Sequence, residues 1–332
     1  LQFGDHGGAV GTLVGQENRG LEYMFIMMNA ARYAVGMQGI AVAERAYQKA
    51  AAFAKERVQS RPVDGSLPGS GPIIQHPDVK RMLMTMRAYT EGCRAMASVA
   101  AAAYDASHHH PDAQVRKDNQ TFYEFMVPLV KGYSTEMSLE VTSLGVQVHG
   151  GMGFIEETGA AQYYRDAKIL TIYEGTTAIQ ANDLVGRKTA RDGGQTAKAI
   201  AKQIEHTEAA LAKSGSAAAS STLKRLRAAR DAFLQVVDFV AGNTKASPNA
   251  VFAGSVPYLM LAGNLMAGWQ LARALVVAEQ QLAQGGADTG FLQAKVATAR
   301  FYAEHLLSKA PGVRDAIVEG GESVTALPVD AY

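Results

Sequence analysis

Residues 21–59 read as one almost unbroken helix in which Gly36, Gly39, Ala43, Ala46 and Ala50 recur at helical spacing. A glycine inside a helix costs roughly 1 kcal/mol against alanine. A helix that keeps two on one face is therefore expected to have a second helix pressed close against it. The rest of the chain supplies the partners. SRPVDGSLPGSGP, residues 60–72, is a loop, and HPDVKRML opens a second helix reaching about residue 106, with Pro77 and Asp78 suited to its first turn. SHHHPD breaks the chain. A third helical stretch covers about 115–148, and Pro128 within it is expected to kink or divide it. A short helix at about 161–170 and another from near Ala178 follow.

The fold class this predicts is all-α: an up-and-down four-helix bundle over 21–190, then a second helical domain over 191–332. That second unit has helices at about 220–242, 248–283 and 288–309, joined by GNTKASPN and QGGADTG, and carries no chemical motif. Residues 1–20 are glycine-rich and read as the end of a preceding β-structure or a loop, a short β/loop remnant.

Composition narrows the function classes. The 332 residues carry 32 basic and 31 acidic side chains, a net charge of +1, which gives no nucleic-acid surface. The single cysteine, Cys93, sits mid-helix as a core residue, excludes an intrachain disulfide and fits a reducing, cytoplasmic setting. No apolar run reaches membrane-spanning length and no signal-peptide pattern opens the chain, which starts abruptly at Leu1. His108, His109 and His110 are adjacent and cannot all face one ion on a regular helix, so they read as a polar loop and no metal site is expected.

The stretch TIYEGTTAIQ, residues 171–180, stands apart. Glycine and two β-branched threonines make a poor helix interior, so the chain breaks here with Glu174 at the break. On these ten residues two readings stand: a surface glutamate at a helix boundary, or a carboxylate facing an apolar cavity.

RYAVGMQGIAVAERAYQKAAAFAKER, QVHGGMGFIEE and YYRDAKILTIYEGTTAIQ, in that order and preceded by GTLVGQENRGL, closely resemble the C-terminal helical domain of the flavin-dependent acyl-CoA dehydrogenases. The resemblance covers roughly residues 1–190, and its RDAKI…IYEGT block is highly specific to that superfamily, which includes the acyl-CoA oxidases. Residues beyond 190 look like the extra helical C-terminal domain of longer members. On this resemblance the chain is a C-terminal fragment, lacking the N-terminal helical domain and nearly all of the β-domain.

The resemblance implies α,β-dehydrogenation of an acyl-CoA thioester to the 2,3-enoyl-CoA in fatty acid metabolism, with FAD as hydride acceptor. Glu174 matches the catalytic base. A C–H next to a thioester is a weak acid, so a carboxylate there needs desolvation and donors to the developing enolate oxygen, one of them the base's own backbone N–H. Arg57 matches a cation on the flavin pyrophosphate across a subunit interface. Gln147, Gly150 and Gly151 match contacts to the adenosine end of a neighbour's flavin, and Thr176 a further flavin contact. Asn29, Arg32, Tyr173 and Gly175 match the substrate side. His76 and His149 are expected to be structural or peripheral to the cofactor. Electron-transfer flavoprotein is the implied electron acceptor, and a homo-oligomer, dimer or tetramer, the implied assembly.

The chain departs from the family pattern in places. Asn29 replaces the commoner acid, the aromatic that often follows the Arg57 motif is absent, and Ala178 replaces a glutamine. An acyl-CoA oxidase and a non-catalytic helical interaction module are the alternatives. The intact IYEGT and Arg57 argue against the module.

Overall fold

The computed structural model describes residues 2–331, the side chains of Phe25 and Ile26 excepted, and the described residues are helical with no strand. Three long helices come first: α1 (Gly20–Glu56), α2 (Pro77–His109) and α3 (Ala113–His149). Pro77 occupies the first turn of α2, and the Asp112 carboxylate caps α3 by accepting from the Gln114 and Val115 N–H groups at 2.7 and 3.1 Å. The three-residue link between α2 and α3 makes them antiparallel neighbours.

The fourth side of the bundle comes in pieces. After a single turn, α4 (Gly151–Phe154), α5 (Ala160–Leu170) packs on α1 and α3. The chain breaks over residues 171–176, and α6 (Thr177–Asp183) resumes against α3 and runs on as a π-helical segment to Ala190. The expected break at Glu174 thus divides the fourth helix.

The predicted close approach is between α1 and α3. A Cβ on Gly36 would lie 2.4 Å from the Val130 carbonyl oxygen, and one on Gly39 3.1 Å from that of Ser134. Ala43, Ala46 and Ala50 continue the same buried face. The glycines bring backbone onto backbone, which offsets their cost in helix propensity.

Two expectations need correction. Of the two outcomes expected at Pro128, division does not occur: α3 runs unbroken through it, and the proline is buried among packed side chains. The histidine triplet is only partly loop, because α2 continues through His108 and His109, where the His108 ring lies over Tyr104 and its Nδ1 meets the Tyr104 carbonyl. Residues 2–19 are exposed and irregular, the loop of the two readings offered for them.

The C-terminal helices are α7 (Gln195–Ser214), α8 (Ala217–Asn243), α9 (Pro248–Ala253), α10 (Ser255–Ala283), α11 (Thr289–His305), α12 (Ala310–Glu319) and α13 (Gly321–Val324). They do not stand apart from the bundle. Helix α10 packs against α2 and α3, and one continuous apolar core runs from Ile40 to Ile317. The seam is set by glycine again: Gly263 on α10 lies under the Tyr133 ring, where a Cβ would fall 2.3 Å from a ring carbon. The Tyr133 and Tyr302 hydroxyls close the seam at 2.8 Å, and burial pushes both phenols well above their ordinary pKa.

Gly263→Ala should therefore overpack this seam and cost about 1–3 kcal/mol. Gly312→Ala in α12, where a Cβ meets nothing within 4 Å, should stabilise by up to about 1 kcal/mol. Thermal unfolding of the two variants beside the parent checks both signs.

Candidate functional site

The break between α5 and α6 is a tight, internally bonded loop. The Tyr173 N–H donates to the Ile169 carbonyl at 3.1 Å and the Thr177 N–H to that of Thr171, also at 3.1 Å. At its apex Glu174 adopts φ 53°, left-handed and rare for a residue with a side chain, followed by Gly175 at φ 88°. That φ favours glycine at 175, and a Cβ there would also press on Gln180 Nε2 at 2.7 Å. The Glu174 side chain is exposed on this chain, and its backbone N–H meets no acceptor among the described residues.

The loop rests on a fully buried cation. Lys131 of α3 is 0% exposed, and its Nζ donates to the Leu170 carbonyl at 2.8 Å and the Gly175 carbonyl at 2.7 Å. Burial lowers its pKa to about 8; the charge of Arg32 pushes the same way, while those of Glu136 and Glu174 oppose it. Gln180, also fully buried, adds Nε2 donation to the Gly175 carbonyl at 3.2 Å. Sequence reasoning missed both residues. For Lys131 a signal was present: one charge inside the apolar run FMVPLVKGY.

Other expected substrate-side residues gather nearby. The Tyr173 hydroxyl donates to Gln38 Oε1 on α1. Arg32 is buried, and its Nη1 donates to Asp183 Oδ2 of α6 at 3.0 Å, tying α1 to the helix that follows the loop. Its Nε has no partner among the described residues. Asn29, one turn earlier on α1, is half-buried. Thr176 caps α6, accepting from the Ile179 N–H at 3.3 Å.

Arg57, Gln147, Gly150 and Gly151 lie elsewhere, together, on a groove of about 810 Å³ between the C-terminal ends of α1 and α3. Arg57 caps α1, and its backbone is fixed at both ends: its N–H donates to the Phe53 carbonyl and its carbonyl accepts from the Ile73 N–H at 2.8 Å. The Val58–Pro72 bridge pins the neck of the loop beyond. Gly150 ends α3 at φ 60°, and a Cβ on Gly150 or Gly151 would meet nothing within 4 Å, so bare backbone faces open space.

Arg61, His76 and His149 also line the groove, and no carboxylate does. His76 Nε2 meets the Gln59 carbonyl at 2.8 Å, and His149 is stacked on Phe53 with Nδ1 2.7 Å from the Gly145 carbonyl, so both rings hold the groove wall. Among the described residues no acid pairs with Arg57. Two guanidinium groups without a neutralising acid suit a phosphate-bearing ligand.

The two clusters are well separated. From Gln38, beside the Glu174 loop, to Arg57 the rise along α1 is roughly 28 Å, and from Lys131 to Gln147 along α3 roughly 24 Å.

The family model for the C-terminal domain of acyl-CoA dehydrogenases matches residues 18–188. The chain belongs to the acyl-CoA dehydrogenase family. A second model, described as acetyl-CoA dehydrogenase C-terminal like, matches residues 196–328. A 3-methylmercaptopropionyl-CoA dehydrogenase of Ruegeria pomeroyi is 56% identical over 96% of this chain and 54% of its own length. A broad-specificity linear acyl-CoA dehydrogenase of Mycobacterium tuberculosis is 36% identical with the same two coverages, 96% and 54%. The chain thus spans about half the length of these relatives. Among solved structures, an acyl-CoA dehydrogenase from Bacillus anthracis complexed with FAD has the same fold at TM-score 0.70 and 20% identity, covering 95% of this chain and 52% of that one. No described helix is long and apolar enough to cross a membrane.

The depressed pKa of Lys131 has a signed consequence. An unfolded lysine titrates at about 10.4, so between about pH 8 and that value the unfolded chain holds a proton the folded one has lost. Stability contributed by this group therefore rises with pH across the window. Urea unfolding from pH 7.5 to 10 should show the parent gaining on Lys131→Met with a slope approaching about 1.4 kcal/mol per pH unit.

Proposed function

We propose that these residues form the C-terminal portion of an FAD-dependent acyl-CoA dehydrogenase that converts an acyl-CoA thioester to its 2,3-enoyl-CoA, with Glu174 as the base. The observation that carries the reading is the loop itself: a left-handed glutamate whose carboxylate is exposed and whose own N–H is unpaired. One residue thereby offers a proton acceptor and a hydrogen-bond donor to the same small volume. The carboxylate takes the proton from the carbon next to the thioester carbonyl, and the N–H meets the oxygen on which charge develops. Bound flavin supplies the hydride acceptor for the neighbouring carbon. Exposed Ile169, Ile172 and Ile179 bracket the loop at 52, 49 and 47% exposure. A surface laid over them would exclude water and strengthen both interactions.

Arg57, Gln147, Gly150 and Gly151 hold the phosphate and adenosine portion of FAD. The acid-free groove and its bare glycine backbone fit that group. The short ribityl chain between flavin ring and pyrophosphate cannot bridge the 25 Å or so between groove and loop. The groove therefore serves the FAD of a second copy, which makes the protein a homo-oligomer. Electron-transfer flavoprotein is the proposed acceptor, in a cytoplasmic setting. The R. pomeroyi relative suggests 3-methylmercaptopropionyl-CoA as the first substrate to try, with butyryl-CoA beside it.

Glu174→Gln in the holoprotein should slow flavin reduction by at least about 10²–10⁴-fold, the usual contribution of a general base. Anaerobic mixing with either thioester, followed by flavin absorbance, reads it, and near-normal bleaching defeats the assignment. Arg57→Ala should weaken FAD binding roughly 10–100-fold, as expected for a lost charged hydrogen-bond donor. Equilibrium dialysis measures that, and unchanged affinity removes Arg57 from the cofactor site.

A further inference from the structure

The groove, the ion pair of Arg32 and the exposed isoleucines all belong to the proposed reaction. One buried group remains without a role in it. Lys131 is a primary amine with no solvent contact and, among the described residues, no ion-pair partner, and it faces two main-chain oxygens. Such a placement is costly for a group normally found at the surface, and an apolar side chain of the same length would fill the space without desolvating a charge.

The two oxygens explain what the amine does. The Leu170 carbonyl closes α5, and the Gly175 carbonyl directly follows Glu174. One nitrogen atom thus joins the start of the break to the residue just beyond its apex. Both carbonyls turn inward around Nζ, and this is the curvature that a left-handed Glu174 produces. Without Lys131 the Leu170 carbonyl would be left unsatisfied and that of Gly175 would keep only Gln180, so the loop would open to hydrate them.

We infer that Lys131 is a positioning residue: its side-chain amine, bonded to the Leu170 and Gly175 carbonyls, holds the 171–176 loop in the curvature that aims the Glu174 carboxylate and N–H at the substrate. The inference rests on Glu174 being the base. Gln180 assists from α6 through its bond to the Gly175 carbonyl, but it reaches only that side of the loop and leaves Leu170 to Lys131 alone. Thr177 fixes the far end, its hydroxyl donating to Glu136 of α3. Both anchors lie outside the 171–176 loop, so the effect of losing Lys131 should be confined to the loop.

The test uses FAD-loaded protein with Lys131→Met, Glu174→Gln and the double variant, mixed anaerobically with butyryl-CoA and with 3-methylmercaptopropionyl-CoA. Lys131→Met should slow flavin reduction about 10²-fold, the scale of a misplacement near 1 Å. Thioester affinity, compared between the double variant and Glu174→Gln, should stay within about twofold. The double variant should be no slower than Glu174→Gln alone, because a residue that acts through the base has nothing to act on once the base is gone. Amide exchange supplies a readout independent of turnover: peptides covering 171–177 should lose protection in Lys131→Met while those of α3 and α5 keep theirs.

Full-rate reduction by Lys131→Met overturns the inference, and so does an equal further loss in the double variant. Unchanged exchange at 171–177 overturns it as well. Normal reduction by Glu174→Gln instead removes the base and leaves the exchange result to stand or fall alone. If Lys131→Met does not fold, Lys131→Gln, which keeps an amide donor on a shorter arm, should show the same effects at reduced size. A Lys131→Gln protein with parental rate and exchange overturns the inference equally.

Discussion

One turn of α3, residues 130–133, touches every part of the molecule that matters to the site. The Val130 carbonyl lies where a side chain at Gly36 of α1 would be. Lys131 binds the loop between α5 and α6. Gly132 admits Leu259 of α10, which a Cβ would approach to 2.6 Å, and leaves room for Gln180 of α6. Tyr133 stacks over Gly263 of α10 and bonds Tyr302 of α11. Successive residues of a helix point about 100° apart. Four in a row therefore address four directions, and only a helix surrounded on all sides can use them all. This is why α3 is buried without interruption from Phe125 to Thr135 and why Pro128, two residues before that turn, is held without dividing it.

The same turn accounts for the way the C-terminal helices join the bundle. A helical unit resting on a flat apolar face would leave the Glu174 loop indifferent to it. Here α10 meets α3 at the turn that also carries Lys131, and Gly132 is the shared point, facing Leu259 and Gln180 at once. Residues far along the chain thus form part of the rigid support under the loop, with no side chain of their own in it.

What could be read from sequence follows the reach of each interaction. Helix periodicity, the loops at 60–72 and 171–176 and the small-residue face of α1 are local, and each appears in the structure near its expected place. The grouping of Arg57 with Gln147, Gly150 and Gly151 was legible only through family resemblance, since their sequence separation says nothing of a common groove. Lys131 and Gln180 were not legible as a pair. Their partners are main-chain carbonyls, which any residue supplies, so no complementary side chain marks them. Asp183 was hidden differently: nothing local in the helix from near Ala178 marks it as buried, yet it is, and Arg32 reaches it from 151 positions away. The failures at Pro128 and at the end of α2 share a cause, since tertiary packing in the first and a ring-to-carbonyl contact in the second outweigh local preference.

A non-glycine residue in the left-handed region costs of order 1–3 kcal/mol and persists only where its surroundings over-determine it. Around Glu174 they do: Gly175 takes a second positive φ that favours glycine, Thr177 closes the ring onto Thr171, and Lys131 satisfies the carbonyls that the turn drives inward. Relaxing Glu174 to an ordinary conformation would rotate the neighbouring peptides and withdraw those carbonyls from Lys131 and Gln180, the buried donors they meet among the described residues. Each unsatisfied carbonyl would cost about 1–3 kcal/mol, as much as the relaxation returns. The left-handed glutamate is thus the lower-energy choice for this chain. The geometry that exposes its carboxylate and N–H together is a consequence of burying a lysine one layer beneath.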